Sequence, residues 1–105
     1  MRSLITAAAM LLSTAAHADW KDAALEEIRA EPKVVEAMFQ NGGRTLWVSM
    51  QDDGSSRDGY ANYLCLVMSD AGLPAGDRVR IRIWDAAVMR DELRQIGEGS
   101  CESGS

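Results

Sequence analysis

No apolar run in this sequence reaches the length of about 20 residues that a helix needs to cross a bilayer. The most apolar stretch, residues 4–12, is short and follows the basic residue Arg2. Together with the small-x-small sequence Ala16-His17-Ala18, this pattern is typical of a secretory signal peptide. We therefore expect residues 1–18 to be removed by cleavage between Ala18 and Asp19. The product would be a periplasmic or secreted bacterial protein with no stable membrane insertion after cleavage.

Histidine is almost absent, because the single one, His17, lies within the predicted signal peptide. The mature protein would then have no imidazole, which excludes Ser-His-Asp and Cys-His nucleophile systems and zinc sites that need histidine. Two cysteines are also too few for a four-thiolate metal site. We accordingly expect no cofactor, no metal centre and no enzymatic activity.

Carboxylates are the catalytic residue type that this chain does not lack, since it contains 16 Asp and Glu residues. A small hydrolase built on Asp52, Asp53 or Asp58 is therefore the alternative to a non-catalytic protein. A small domain has little room for the deep cleft that would raise the pKa of a carboxyl group, so the non-catalytic interpretation is favoured. A stress-related structural protein of the cell envelope is a further alternative.

Basic residues are outnumbered, and the formal net charge of the 105-residue chain is −5. Removal of 18 residues would leave 87, with ten basic and 16 acidic side chains, and would lower the net charge to −6. Affinity for phosphate backbones comes from clustered Lys and Arg. We therefore expect no nucleic-acid partner.

Only two cysteines are present, Cys65 and Cys101. In an oxidising compartment an even number of cysteines indicates disulfide bonding, and here only one intramolecular pair can form. Neither belongs to a Cys-x-x-Cys motif, so thiol oxidoreductase activity is not expected. The alternatives are two free thiols or an intermolecular bridge. An intramolecular bridge would stabilise the fold by about 4 kcal/mol on the chain-entropy model.

Hydrophobic periodicity predicts the order helix, helix, strand, helix, strand, helix. The helices are predicted over residues 19–30, 32–40, 58–71 and 85–94, and the strands over residues 44–50 and 78–84. Pro32 separates the first two helices, because proline is tolerated at a first helical position but not inside a helix. Gly72 ends the third helix.

A strand-helix-strand unit predicts parallel neighbouring strands with a right-handed crossover. The fold class is thus a small single α/β domain over residues 19–96, with a two-stranded sheet that helices cover on one face. A third strand from residues 96–101 is the alternative. Residues 97–105 are rich in Gly and Ser, which predicts a flexible tail tethered by Cys101.

Three arginines alternate along the second predicted strand at Arg78, Arg80 and Arg82. They would share one face of the strand at a spacing of roughly 6.6 Å, where guanidinium groups could bind a carboxylate or phosphate. Trp47 on the neighbouring strand would stack on Arg80 or Arg82 as a cation–π contact. The alternative is a solvated face whose charges are balanced by the protein's own acids.

The polar loop that follows the first predicted strand, residues 52–59, is the other candidate. It lies at the carboxyl end of that strand, where open parallel sheets usually bind ligands. Asp52 and Asp53 would contribute to a binding surface with Trp47 and the arginines, for an envelope protein or an anionic small ligand. The alternative is a simple turn in which Ser56 or Asp58 caps the next helix.

The segment from Asp52 to Cys65, Asp-Asp-Gly-Ser-Ser-Arg-Asp-Gly-Tyr-Ala-Asn-Tyr-Leu-Cys, resembles small exported bacterial proteins of unknown function. The likeness extends to residues 79–85 and to the late Cys101. The resemblance implies export and a conventional disulfide, and it implies no catalytic or binding residue.

Overall fold

The computed structural model describes residues 20–88 and 92–102. The elements are α1 (Trp20–Arg29), β1 (Val34–Gln40), β2 (Thr45–Met50), α2 (Asp58–Ala71), β3 (Arg78–Asp85) and β4 (Gln95–Glu102), with 3₁₀ turns at Asn41–Gly43 and Ala86–Val88. The small α/β class is confirmed, but in the described chain it has two helices and four strands. The predicted signal peptide and its cleavage site lie outside the described residues.

The four strands form one mixed sheet in the order β1-β2-β3-β4. The outer pairs, β1 with β2 and β3 with β4, are antiparallel. The central pair, β2 with β3, is parallel, with Thr45 opposite Arg80 and Met50 opposite Asp85. Helix α2 connects these two central strands, so the parallel pairing predicted from the strand-helix-strand pattern is confirmed.

Both helices pack on one face of the sheet, as predicted. Every second side chain of the central strands points to this face and is buried, which gives a single hydrophobic core. The core side chains are Ala24, Ile28, Ala37, Leu46, Val48, Met50, Ala61, Leu64, Met68, Leu73, Val79, Ile81, Ile83 and Cys101. No described helix or strand packs on the opposite side of the sheet, which we call the open face.

The helix predicted over residues 32–40 is wrong, because Val34–Gln40 forms β1. The register of β1 against β2 shifts between Val34 and Glu36, so Val35 falls out of the alternation and is 57 % exposed. This irregularity spreads apolar residues over both sides of the strand and imitates a helical stripe. Pairing with β2 and the β-branched valines decide in favour of the strand.

A charged pair covers the free edge of β1. The Ala37 amide donates to Glu36 Oε1 at 2.8 Å, and Arg29 Nη2 donates to the Ala37 carbonyl at 2.7 Å. Arg29 Nε also lies 3.0 Å from Glu36 Oε1. An unpaired strand edge is a template for pairing with another chain, and charged side chains are one way of blocking it.

We expect Arg29→Gln to increase self-association through β1 while changing the stability of the monomer little, since the ion pair is exposed. Sedimentation velocity at increasing protein concentration measures the effect. Lys33→Gln removes the same charge from an exposed turn and serves as the control. Identical sedimentation of the two variants would show that Arg29 does not protect the edge.

The helix predicted over residues 85–94 is also wrong in the part that the structure describes. Asp85 ends β3, a 3₁₀ turn follows at Ala86–Val88, and residues 92–94 have no regular structure. The Asp85 amide donates to the Arg94 carbonyl at 2.8 Å, so the chain reverses direction here. Residues 89–91 of the predicted helix lie outside the described residues.

The predicted flexible tail is replaced by a strand. Residues 97–102 belong to β4, which pairs with β3 from Arg78 opposite Glu102 to Trp84 opposite Gln95. The third strand considered over residues 96–101 is therefore present as part of β4. With β1 added, the sheet has four strands. Residues 103–105 lie outside the described residues.

The predicted disulfide between Cys65 and Cys101 is confirmed. The two sulfur atoms lie 2.06 Å apart and the two Cα atoms 5.2 Å apart. The bridge joins the middle of α2 to β4, and Cys101 is fully buried. It therefore ties the last strand of the sheet to the helix that lies over it.

Candidate functional site

The arginine row lies on the open face of the sheet, as the alternation along β3 predicts. Arg80 is opposite Thr45 and Arg82 is opposite Trp47 in the parallel register of β2 and β3. Trp84 continues the same row toward the end of β3. The open face therefore brings Trp47, Arg80 and Arg82 together, and adds a second tryptophan that the sequence analysis did not select.

The three arginines differ in whether the protein balances their charge. Arg78 Nη2 forms an ion pair with Glu102 at 3.1 Å. Arg80 and Arg82 form no ion pair with any side chain in the described part of the chain, although Glu98 is opposite Arg82 in the register. The Glu98 carboxylate instead accepts a hydrogen bond from Gln95 at 3.2 Å. The alternative of a solvated face whose charges the protein balances itself thus holds for Arg78 but not for Arg80 and Arg82.

The predicted stacking of Trp47 on Arg80 or Arg82 is absent. Trp47 packs instead against Trp84, with ring centroids 5.0 Å apart and an interplanar angle of 56°. The parallel register explains this contact. Trp47 is opposite Arg82, and Trp84 is the next residue of β3 whose side chain points to the same face. The two rings form an aromatic pair at one end of the row.

Trp84 lies on the open face but is buried, as are Thr45 and Ser49 of β2. It is only 7 % exposed, and its indole Nε1 is buried without a hydrogen-bond acceptor in the described part of the chain. A recess of about 40 Å³ lies beside it, lined by Glu36, Ala37, Met38, Trp47, Val48, Ser49 and Trp84. An unsatisfied buried donor costs about 1–3 kcal/mol, so an acceptor that entered the recess and reached this N–H would stabilise the protein.

The acidic loop after β2 is satisfied internally. Asp53 accepts hydrogen bonds from the Ser55 hydroxyl at 2.6 Å and the Ser55 amide at 3.0 Å. The hydrogen bond from the Ser55 hydroxyl is the main reason why the pKa of Asp53 is lowered. Asp58 accepts the Glu98 amide at 2.9 Å. These contacts favour a structural turn, and a lowered pKa makes Asp53 a poor general acid.

Asp52 belongs to an ion-pair network that the sequence did not predict and that is buried only at Asp85. Its carboxylate lies 3.1 Å from Arg94, which also binds the carboxylate of Asp85. Asp85 is 2 % exposed and accepts the Ala87 amide at 3.0 Å. This backbone hydrogen bond, followed by the contact with Arg94, lowers the pKa of Asp85. Arg94 therefore links the loop after β2 to the end of β3.

The lowered pKa of Asp85 predicts acid sensitivity. A carboxyl whose pKa is lower in the folded state stabilises the fold above its unfolded pKa, and this contribution is lost as the pH falls through the folded value. The pKa of an aspartate carboxyl in an unfolded chain is 3.8. We expect the urea midpoint to fall as the pH drops below about 4, and to fall less steeply in Asp85→Asn. Parallel curves for both proteins would assign the acid sensitivity to other groups.

The structure does not bring the predicted surface together as one site. Arg78 starts β3 and Asp85 ends it, and these ends are roughly 20 Å apart at the usual rise per residue. Asp52 and Asp53 lie at the Asp85 end, away from Arg78. Within residues 20–88 and 92–102, no three His, Cys, Asp or Glu side chains are placed to hold a metal ion.

Neither helix described here has the length and apolar character needed to cross a membrane. Comparison with protein-family models, with curated protein sequences and with solved structures gave no match. Function is therefore inferred from the chemistry of the open face alone.

Proposed function

We propose that the protein is exported and acts as a non-catalytic binding module whose open face docks an acidic, extended segment of a partner protein in the cell envelope. The observation that carries this proposal is the buried Nε1 of Trp84, which has no acceptor among residues 20–88 and 92–102. Arg80 and Arg82 of the same strand form no ion pair with those residues. A carboxylate of the partner would satisfy both kinds of group at once.

The spacing of the open face suits an extended segment. Arg80, Arg82 and Trp84 follow one another at every second position of β3, and this repeat is roughly 6.6 Å. Side chains at every second position of an extended peptide repeat with nearly the same distance. Carboxylates at alternate positions would therefore face successive donors of β3, and guanidinium groups bind carboxylates in a bidentate manner.

An apolar contact next to the donors would add affinity. Met38 is 42 % exposed and is opposite Trp47 in the register of β1 and β2. Aromatic residues, Met and Arg are the types most enriched at protein interfaces, and Trp and Arg supply most binding hot spots. An apolar residue of the partner between two acidic ones would lie against Met38 and Trp47.

Export is supported by the disulfide, since such bridges persist in oxidising compartments and are rare in reducing ones. The intact mass of the protein recovered from the periplasm or the culture medium tests it. We expect an N-terminus at Asp19 and a mass two hydrogens below that of the dithiol. Free thiols, or an intact N-terminus in the recovered protein, would contradict the proposal.

Docking is tested by NMR titration with an acetylated and amidated Glu-Val-Glu-Val-Glu peptide. The chain has three tryptophans, so its indole N–H signals can be assigned from Trp20→Phe and Trp47→Phe. We expect a saturable downfield shift of the Trp84 indole proton as it gains an acceptor. The matched Gln-Val-Gln-Val-Gln peptide should leave this signal in place.

Arg82→Gln should weaken binding of the acidic peptide about tenfold, which corresponds to about 1.4 kcal/mol. Lys33→Gln removes the same charge from the turn before β1 and should bind like the unchanged protein. No shift of the Trp84 signal, or equal binding of the acidic and amide peptides, would overturn the proposal.

A further inference from the structure

A second basic site lies at the end of the sheet where β3 begins. A cleft of about 530 Å³ opens there between the start of α1, the turn from β1 to β2, and the loop before β3. It is lined by four basic side chains and only one acidic side chain, Asp77. The four basic residues, which together we call the basic cleft, are Lys21, Arg44, Arg78 and Arg80.

This concentration of positive charge is unexpected in a chain whose net charge is −5. Of the four cations, only Arg78 has an ion pair within the described residues, with Glu102 at 3.1 Å. Arg44 and Arg80 are both exposed. Like charges held close together repel one another, and an anion between them removes that repulsion. The cleft is therefore a site at which an anion would stabilise the protein.

Backbone contacts hold the cations around the cleft. The Arg80 amide donates to the Arg44 carbonyl at 2.8 Å, which places Arg44, in the turn before β2, beside Arg80 of β3. Lys21 Nζ lies 5.7 Å from the centre of the Trp20 ring. The Lys21 side chain also runs across Gly43, where an added Cβ would lie 3.1 Å from Nζ. The ammonium group is thus directed toward the turn that carries Arg44.

The glycines of the cleft leave its backbone accessible. Gly42 and Gly76 both line the cleft, and their φ values of +65° and +89° are ones that side-chain-bearing residues rarely adopt; no atom lies within 4 Å of a Cβ added at either position. Turns of this kind expose backbone amides to a ligand and leave no side chain in its way. Arginines beside such turns are typical of sites for phosphate groups, whose several oxygens accept more donors than one carboxylate does.

We propose that the basic cleft binds a phosphate group, carried by a small molecule or by a lipid headgroup. The site shares Arg80 with the open face, but Lys21 and Arg44 lie outside that face, so their substitution distinguishes phosphate binding from the docking of an acidic segment. Its recognition chemistry is electrostatic and bidentate. Arg44 from the turn before β2 and Arg80 from β3 would bind phosphate oxygens, and Lys21 would add a third positive charge from α1.

Titration of the purified protein with inorganic phosphate at constant ionic strength tests the site. We expect saturable NMR shifts of the Gly43 and Arg44 amides, and a weaker response to chloride. Lys21→Gln and Arg44→Gln should each weaken phosphate binding at least fivefold. Lys33→Gln, which removes one charge elsewhere, should bind phosphate like the unchanged protein, and circular dichroism verifies that each variant is folded.

Two further probes identify the source of the phosphate. Co-sedimentation with vesicles of anionic phosphatidylglycerol, but not of neutral phosphatidylcholine, would assign the site to a lipid headgroup. Saturable binding of inorganic phosphate without co-sedimentation would assign it to a small molecule. Tighter binding of citrate than of phosphate, or shifts that neither saturate nor depend on Lys21 and Arg44, would overturn the proposal.

Discussion

Removal of the disulfide, by replacing Cys65 and Cys101 with alanine, is expected to lower the free energy of unfolding by about 4 kcal/mol. The bridge closes a loop that spans 36 positions and contains the second half of α2, all of β3 and most of β4. In the unfolded chain this cross-link removes a large part of the conformational freedom. A domain of this size typically has only 5–15 kcal/mol of net stability, so the loss would leave it close to unfolding at physiological temperature.

Urea unfolding with and without a reductant measures the effect. We expect the unchanged protein to lose most of the same free energy on reduction, and the double variant to be insensitive to the reductant. Because both proteins keep the same charges, the comparison isolates the covalent bond. A midpoint that does not move on reduction would mean that the packing of β4 against β3 and α2 is sufficient without the bridge.

The location of the bridge also predicts where the protein loosens first. Cys101 is the only fully buried hydrophobic side chain that β4 contributes to the core. Three of the eight residues of β4 are glycine or serine, which offer little apolar surface to hold the strand in place. We therefore expect the amides of β4 to lose protection from hydrogen exchange on reduction, while β2 and its neighbours stay protected.

The elements that the sequence predicted correctly are those with a strong local signal. The alternation of Val79, Ile81 and Ile83 with arginines defines a strand with one buried face, and the register keeps the arginines on the other. Gly72 adopts a left-handed conformation with φ of 117° and ends α2 where predicted. Counting the cysteines was enough for the disulfide, because only one pairing was available.

The elements that the sequence did not predict depend on tertiary contacts. β1 is an edge strand with an irregular register, so two of its five apolar side chains, Val35 and Met38, are exposed and its pattern resembles a helix. The arginine row was predictable, but the packing of Trp84 against Trp47 depends on the register of β2 and β3. The basic cleft was not predictable, since Lys21, Arg44 and Arg80 come from three separate elements.

The sequence did not predict all of β4, and the reason leads to a further prediction. Its glycines indicate a flexible tail when considered alone, yet Gly97 is buried and lies directly beneath the first turn of α2. A Cβ added to Gly97 would lie 2.6 Å from Arg57 Cβ and 2.7 Å from the Arg57 carbonyl carbon. Glycine is needed here for close approach of two backbones, and not for flexibility.

We expect Gly97→Ala to lower the free energy of unfolding by about 3 kcal/mol, at the upper end of the usual range for overpacking. The contact involves backbone atoms of Arg57, whose guanidinium Nη2 donates to the Gln51 carbonyl at 2.7 Å. The Arg57 amide also donates to the Ile96 carbonyl at 2.9 Å. The segments around Gly97 and Arg57 therefore cannot move apart without breaking a hydrogen bond.

Two other glycines provide a graded comparison in the same urea experiment. Gly99→Ala should cost less than Gly97→Ala, because its nearest contact is the Ala61 Cβ at 3.0 Å and not backbone. Gly59→Ala should be neutral or stabilising by up to about 1 kcal/mol, since alanine favours the helix and no atom lies within 4 Å of the added Cβ. If Gly97→Ala were as stable as Gly59→Ala, β4 would not pack against α2 as closely as described, and the last strand would behave as the tail that its composition suggests.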